Sequence, residues 1–273
     1  MTTPQSAGPA RTRSSHRLPP PPLGVDCALF LDIDGTLLEL APTPDEVHVD
    51  AGVAALLPAL ARRLGGAVAL ITGRTMADAD RLFRGLALPI AGQHGLERRR
   101  ADGSLRRHLP PLFALERLRG ILSQFAARHD GLFLEDKGAT LALHYRQAPQ
   151  LASLVHRTLR RHMTAALAFE SGWHLQPGKS ILEIKPDGRD KGTAILEYMA
   201  EPPFGGRLPV FVGDDLTDEH GFAAVTTAGG WAIKVGRGPT AAEFRLPDVS
   251  AVRGWLSGLA RNDRKAKGSA HAT

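Results

Sequence analysis

The sequence is poor in cysteine, in aromatic residues and in long apolar runs. A single cysteine, Cys27, stands among 273 residues. One thiol excludes an intramolecular disulfide and a thiolate-built metal cage. Its apolar neighbours predict a small buried residue in a strand. Aromatic residues make up 5% of a chain that is 43% hydrophobic, so Ala, Leu and Gly fill the interior instead. No stretch approaches the roughly 18 uncharged apolar residues that a membrane span needs. The opening MTTPQSAGPARTRSSHRLPPPP lacks the apolar segment of a secretory signal and reads as a disordered, basic, Pro-rich tail over 1–22. No heptad repeat or broad apolar helix face stands out. The expectation is a cytoplasmic monomer that touches neither membrane nor nucleic acid.

The net charge of +6 does not contradict that. Arg11, Arg13 and Arg17 give residues 1–22 a net +3, and Arg261, Arg264, Lys265 and Lys267 against Asp263 give 261–273 another +3. The body between is balanced. Basic tails attract polyanions weakly, but no zinc-finger spacing or basic helix with interleaved aromatics marks a nucleic-acid surface.

What the sequence does have is LFLDIDGTLL, Leu29 to Leu38, a greasy run that ends in two carboxylates and a glycine. Leu23–Leu31 reads as a central parallel strand buried on both faces. A helix follows near Asp50–Leu64, with apolar Val53, Leu56, Leu57 and Leu60 on one face. AVALITGR is a second strand, Met76–Phe83 a helix, and LPIAGQHG a third strand ending near Gly92. This alternation predicts a doubly wound α/β sheet.

The rhythm then changes. GLERRRADGSLRRHLP predicts a hairpin around Asp102-Gly103, and LFALERLRGILSQFAARH a long amphipathic helix. LFLEDKGATLALHYR predicts two antiparallel strands joined at Lys137-Gly138. A helix over about Pro149–Met163 and a hairpin in WHLQPGKSILEIKP around Pro177-Gly178 follow. The parallel pattern resumes with KGTAILEYMA as a helix, RLPVFVGDDLTDE and WAIKVG as strands, and a last helix near Val249–Leu259. The chain divides into a core of 23–103 with 185–260, an inserted α+β unit at 104–184, and tails at 1–22 and 261–273. The insert is placed to cover the carboxyl edge of the sheet, where open α/β folds bind ligands. The joins near 98–110 and 184–188 are the expected hinges.

Asp32 and Asp34 lie just past one strand; Asp214, Asp215, Asp218 and Glu219 lie past another. Parallel strands end at the same edge, so the clusters should meet. Converging carboxylates repel and raise one another's pKa values unless a cation sits between them. Oxygen ligands without His or Cys suit magnesium better than zinc. Magnesium and acids point to phosphoryl chemistry, with Asp32 as nucleophile and Asp34 as general acid and base. Thr72, offering its hydroxyl and backbone N–H, and Lys191, at a helix start, are the candidate donors to the phosphoryl oxygens.

These motifs resemble the haloacid-dehalogenase-like phosphatases. DIDGT (32–36) matches the nucleophile motif, Thr72 the second, Lys191 the third and GDDLTDE (213–219) the fourth, in order, with the insert between the second and third. The resemblance implies a Rossmannoid core with a type-2 (C2B) α+β cap. AGQHGLE (91–97), LEDKGATLALHYR (134–146), GKSILEIKP (178–186) and KGTAI (191–195) narrow it to the trehalose-6-phosphate phosphatase branch, covering about residues 25–260. Thr72 stands where members often carry Ser, and the hydroxyl is kept.

That family implies a Mg2+-dependent hydrolase acting on trehalose 6-phosphate through an aspartyl-phosphate. Its metal shell would be Asp32, the backbone carbonyl of Asp34, Asp214 and Asp218, with Asp215 assisting or replacing one of them. Arg74 and His94 would touch phosphate or sugar. The cap would read sugar hydroxyls through Glu135 and Lys137, on one strand face, and through Lys179 and Glu183 as a second acid–base pair. The alternative within the same chemistry is another magnesium-dependent sugar phosphatase or a phosphomutase. A dinucleotide enzyme is disfavoured because no G-x-G-x-x-G or Walker pattern follows a strand. A receiver-type switch would be about half this size.

Overall fold

A computed structural model describes residues 18–43, 46–108, 113–166 and 172–261. Most of both expected basic tails therefore lies outside the described residues. Twelve strands form two sheets among the described residues.

The larger sheet has the order β12-β11-β10-β1-β2-β3-β4-β5. Its parallel part comprises β1 (Cys27–Leu31), β2 (Val68–Ile71), β3 (Ile90–Gly92), β10 (Leu208–Gly213), β11 (Trp231–Val235) and β12 (Phe244–Leu246). β4 (Glu97–Arg99) and β5 (Leu105–Arg107) add an antiparallel edge. Every residue of β1 and β2 is buried. That burial explains why these strands are continuous apolar runs with no alternation.

Helices α1 (Ala51–Arg63), α2 (Met76–Leu82), α5 (Lys191–Met199), α6 (Asp218–Thr227) and α7 (Val249–Arg261) belong to this layer, with α1 packed on α7 and α5 on α6. Asp50 caps α1 by accepting from Gly52 N and Val53 N. At the sheet's centre Phe30 stacks on Phe204 at 5.5 Å and lies 6.1 Å from the Tyr198 ring. The Tyr198 hydroxyl donates to Arg99 O at 2.7 Å, and Arg98 sits 4.7 Å over the same ring while bonding Glu201 at 2.7 Å. These contacts fix α5 against β1 and β4, which matters because α5 begins with Lys191.

The smaller sheet is antiparallel, in the order β6-β7-β9-β8. It contains β6 (Phe133–Asp136), β7 (Leu141–His144), β8 (Trp173–Gly178) and β9 (Ile181–Pro186), backed by α3 (Phe113–Ala127) and α4 (Ala152–Ala166). Leu118, Leu122, Leu143, Val155, Leu159 and Leu182 close a second hydrophobic core there, separate from the first. The opposite face of β9 carries buried Glu183 and Lys185 toward the larger sheet's edge.

Four details differ from the sequence reading. β5 pairs with β4 in the larger sheet, so the chain leaves that sheet after Arg107 rather than at 104. The β8–β9 turn falls on Lys179-Ser180, not on Pro177-Gly178, which lie within β8. Asp218 and Glu219 open α6 rather than extending a strand end. β12, of three residues, carried no signal long enough to read. No helix among the described residues is long and apolar enough to cross a membrane.

Candidate active site

β1 and β10 are parallel neighbours with Leu31 opposite Val212, so the residues that follow each strand emerge side by side. Asp32 N donates to Val212 O at 3.0 Å, continuing the ladder one step past β1. The chain then turns at Gly35, whose φ is 81°. A Cβ on Gly35 would lie 2.3 Å from Asp214 Oδ2. Only glycine allows both the left-handed backbone and that approach. Gly213 has the same function for Asp218, since a Cβ there would meet the Asp218 carboxyl carbon at 2.3 Å. Asp218 Oδ2 accepts from Asp215 N at 2.8 Å, folding the 213–218 loop back on itself.

The outcome is a buried trio. Ligand-type oxygens of Asp32, Asp214 and Asp218 all lie within 4.8 Å of one another. Lys191 Nζ donates to Asp32 Oδ1 at 2.7 Å and Asp218 Oδ1 at 2.6 Å. Its place at the first turn of α5 is fixed by a capping box between Asp190 and Thr193. Burial, then Asp218 and Asp214, push the Asp32 carboxyl well above its ordinary range despite Lys191. Asp214 is pushed up too, by burial first. Burial works against the Lys191 ammonium, but the two carboxylates outweigh it and hold its pKa above the usual value. Three carboxylates against one core ammonium, with oxygen donors only, fit a hard divalent cation.

Asp34 behaves differently. It lies outside the trio, and Arg74 grips both its oxygens, Nε to Oδ2 and Nη2 to Oδ1, each at 2.7 Å. Thr72 follows β2 and is buried. Its N–H is spent on Ala91 O at 2.9 Å, which removes the backbone donor that the sequence reading offered. Its Oγ1 accepts from Arg74 N at 3.1 Å, leaving the hydroxyl hydrogen for a ligand.

The small sheet supplies the facing wall around Glu183. That carboxylate accepts from His94 Nε2 at 3.0 Å, Thr140 Oγ1 at 2.8 Å and Lys137 Nζ at 3.2 Å. Burial disfavours its charge, but Lys137, His94 and Thr140 together hold it well below the usual carboxylate range. Burial pushes His94 down to about 4 against the pull of Glu183. The neutral imidazole therefore donates from Nε2, and its buried Nδ1 has no partner among the described residues. Lys137 also donates to Gly73 O at 2.9 Å, and His144 Nε2 bonds Glu135 Oε2 at 2.8 Å. A cavity of about 170 Å³ between the two sheets is lined by Asp32, Thr72, His94, Glu135, Lys137 and Glu183, among others.

A family model for trehalose-phosphatase matches residues 30–250. The chain belongs to the trehalose-phosphatase family. It is 45% identical over 240 residues to the trehalose-6-phosphate phosphatase of Escherichia coli (strain K12), spanning 86% of this chain and 87% of that one. It is 43% identical over 237 residues to a probable trehalose-phosphate phosphatase of Sinorhizobium fredii, with 85% and 87% covered. Among solved structures, the C-terminal domain of trehalose-6-phosphate phosphatase from C. albicans superposes with a TM-score of 0.78 at 20% identity, covering 91% of this chain and 99% of that one. A haloacid-dehalogenase-like hydrolase from B. subtilis gives 0.56 at 16% identity, covering 84% and 99%. The expected α/β fold of that superfamily is the fold observed.

Most of the residues singled out from sequence line this cavity, Asp218 lies fully buried in the trio, and Glu219 turns away to accept from Ala241 N at 2.8 Å; two partners differ from expectation. Lys179 does not pair with Glu183. It sits on the β8–β9 turn and donates to Asp214 Oδ2 at 2.6 Å, while Glu183 lies in β9 opposite Ala142 of β7 and takes Lys137. Arg74 engages Asp34. Asp215 lines the cavity beside the trio, close under Gly178. Sequence reasoning missed Thr140, His144 and Arg146, all within the LEDKGATLALHYR stretch; polar residues in a buried hairpin were the available signal. Gln93 and His94 hold left-handed backbone, φ 46° and 56°, which no pattern announces.

Proposed function

We propose that the chain hydrolyses trehalose 6-phosphate to trehalose and inorganic phosphate, the dephosphorylation step of trehalose biosynthesis. The observation that carries this reading is the buried trio of Asp32, Asp214 and Asp218, the first and last of them bridged by Lys191. Asp32, Asp214, Asp218 and the Asp34 carbonyl, with Asp215 beside them, would hold magnesium, which when bound offsets the phosphoryl charge.

An Asp32 oxygen attacks phosphorus, the bond from phosphorus to the sugar O6 breaks, and an aspartyl-phosphate forms. Asp34, with one oxygen released from Arg74 and carrying a proton, gives that proton to the departing O6. Water then attacks the same phosphorus, Asp34 takes the water's proton, and the bond to Asp32 breaks to release phosphate. Lys191 and the Thr72 hydroxyl donate to the phosphoryl oxygens throughout. Arg74 orients Asp34 through its two-point grip.

Glu135, Lys137, Glu183 and His94 recognise the sugar. Beyond its phosphate trehalose offers mainly hydroxyls, and the charged side chains lining the cavity can donate to them and accept from them. Buried charges that lose a hydroxyl partner discriminate strongly against a smaller sugar. The unit carrying the small sheet acts as a lid that moves about the crossings near His108 and Asp187, dehydrating the site on closure.

A panel of sugar phosphates assayed for released phosphate, with magnesium and with chelator, tests this. Trehalose 6-phosphate should be hydrolysed with the highest kcat/KM and only with the ion present. Equal rates across monosaccharide phosphates, or full activity in chelator, would refute it.

A further inference from the structure

The run WAIKVG places one lysine in an otherwise apolar strand. Ala232, Ile233 and Val235 of β11 are buried, and Lys234 is 5% exposed. A buried ammonium is costly unless it is bonded. Lys234 lies opposite Gly213 in the β10–β11 register, directly beside the start of the acid loop. Its Nζ donates to the backbone carbonyl of Asp214. None of the steps above uses it.

The other side of Asp214 explains why this bond matters. Its carboxylate is tied to Lys179, but Lys179 rides on the lid's β8–β9 turn and its side chain is 55% exposed. That tie is lost when the lid withdraws. Asp218, by contrast, is held from within the core by Lys191 and by Asp215 N. Among the described residues Asp214 has an equivalent anchor in the core through its carbonyl, and the donor is Lys234.

We propose that Lys234 is a positioning residue for the cation site: it fixes the Asp214 peptide so that the carboxylate stays aimed at Asp32 and Asp218 whether the lid is on or off. This rests on reading the trio as a divalent-cation site. Lys234 touches neither substrate nor ion. It acts through Asp214, and its charge sits beneath a loop that is otherwise rich in acid. Its loss therefore lowers cation affinity first, and turnover in consequence.

The test is manganese binding to the full chain without substrate, followed by electron paramagnetic resonance of the free ion. Lys234→Met should weaken binding by roughly tenfold or more, the range seen when groups that orient a metal's ligands are removed. The cation concentration for half-maximal phosphate release should rise in step, and saturating cation should recover most of the turnover. Lys234→Arg, which restores a donor, should bind manganese within about threefold of the parent. Lys234→Met binding within twofold of the parent would overturn the proposal, as would Lys234→Arg being as weak as Lys234→Met. If Lys234→Met does not fold, Lys234→Arg decides alone, on the same threefold and tenfold limits. A parent that binds no manganese would instead refute the cation reading itself.

Discussion

The two buried charge clusters that face each other across the cavity are built on opposite principles. On the larger sheet, three carboxylates converge, two of them on Lys191, and Asp32 and Asp214 are pushed above the ordinary carboxylate range. On the smaller sheet, Glu183 has Lys137 and Thr140 beside it, with His94 reaching over from the end of β3 in the larger sheet, and its pKa is held well below the usual carboxylate range. In the proposed function the first cluster holds the ion and carries out the chemistry, and the second exchanges its internal partners for sugar hydroxyls and so provides the selectivity.

Asp32→Asn probes that contrast hardest. Turnover should fall by roughly 10⁴-fold or more, because the attacking atom is gone. The metal-free protein should nonetheless become more stable, since one of three crowded buried carboxylates has been removed while Asp218 still pairs Lys191. Thermal unfolding in chelator checks this, and a large loss of Tm would mean that the trio is as self-sufficient as the lid cluster. Glu183→Gln should do the reverse. It takes from buried Lys137 the nearer of two carboxylates, leaving Glu135 at 3.7 Å and Gly73 O, a cost of about 2 kcal/mol. Turnover of the disaccharide phosphate should fall about 100-fold while a small aryl phosphate is spared. Equal loss on both substrates would remove the distinction between the clusters.

A smaller effect is expected in the pH dependence of stability. His94 has an ordinary pKa of 6.5 when unfolded and about 4 when folded. Its contribution is present above pH 6.5 and is lost as pH falls toward 4, because the unfolded chain takes the proton first. The full window is worth roughly 3 kcal/mol. His94→Gln should flatten the stability profile between pH 6.5 and 4, as read from urea unfolding; an unchanged slope would show that His94 is protonated in place. Thr140→Val should have the smallest consequence, about 1 kcal/mol of stability, by taking one donor from Glu183.

The centre of the larger sheet was legible because β1 and β10 are apolar runs that end in acid or glycine, as in LFLDIDG and VFVGDD. The trio followed from it, since parallel strands share an edge. What was hidden depends on chain reversal and long-range register. Asp218 reads as a strand-end acid but reaches the trio by the first turn of α6. Pro177-Gly178 has the composition of a turn, yet Gly178 stays in β8 with its Cα against Asp215, where a Cβ would lie 3.0 Å from the carboxylate. The turn passes to Ser180, at φ 64°. Lys179 and Glu183 are four residues apart and suggest a pair. Their partners, Asp214 and Lys137, are 35 and 46 residues away, a separation that only the assembled sheets close.

A crystal structure of the protein with magnesium and beryllium fluoride tests the central claim most directly. Beryllium trifluoride should sit on a carboxylate oxygen of Asp32, with one magnesium shared by Asp32, Asp214 and Asp218. Beryllium trifluoride on Asp34, or magnesium bound away from the three aspartates, would contradict the account.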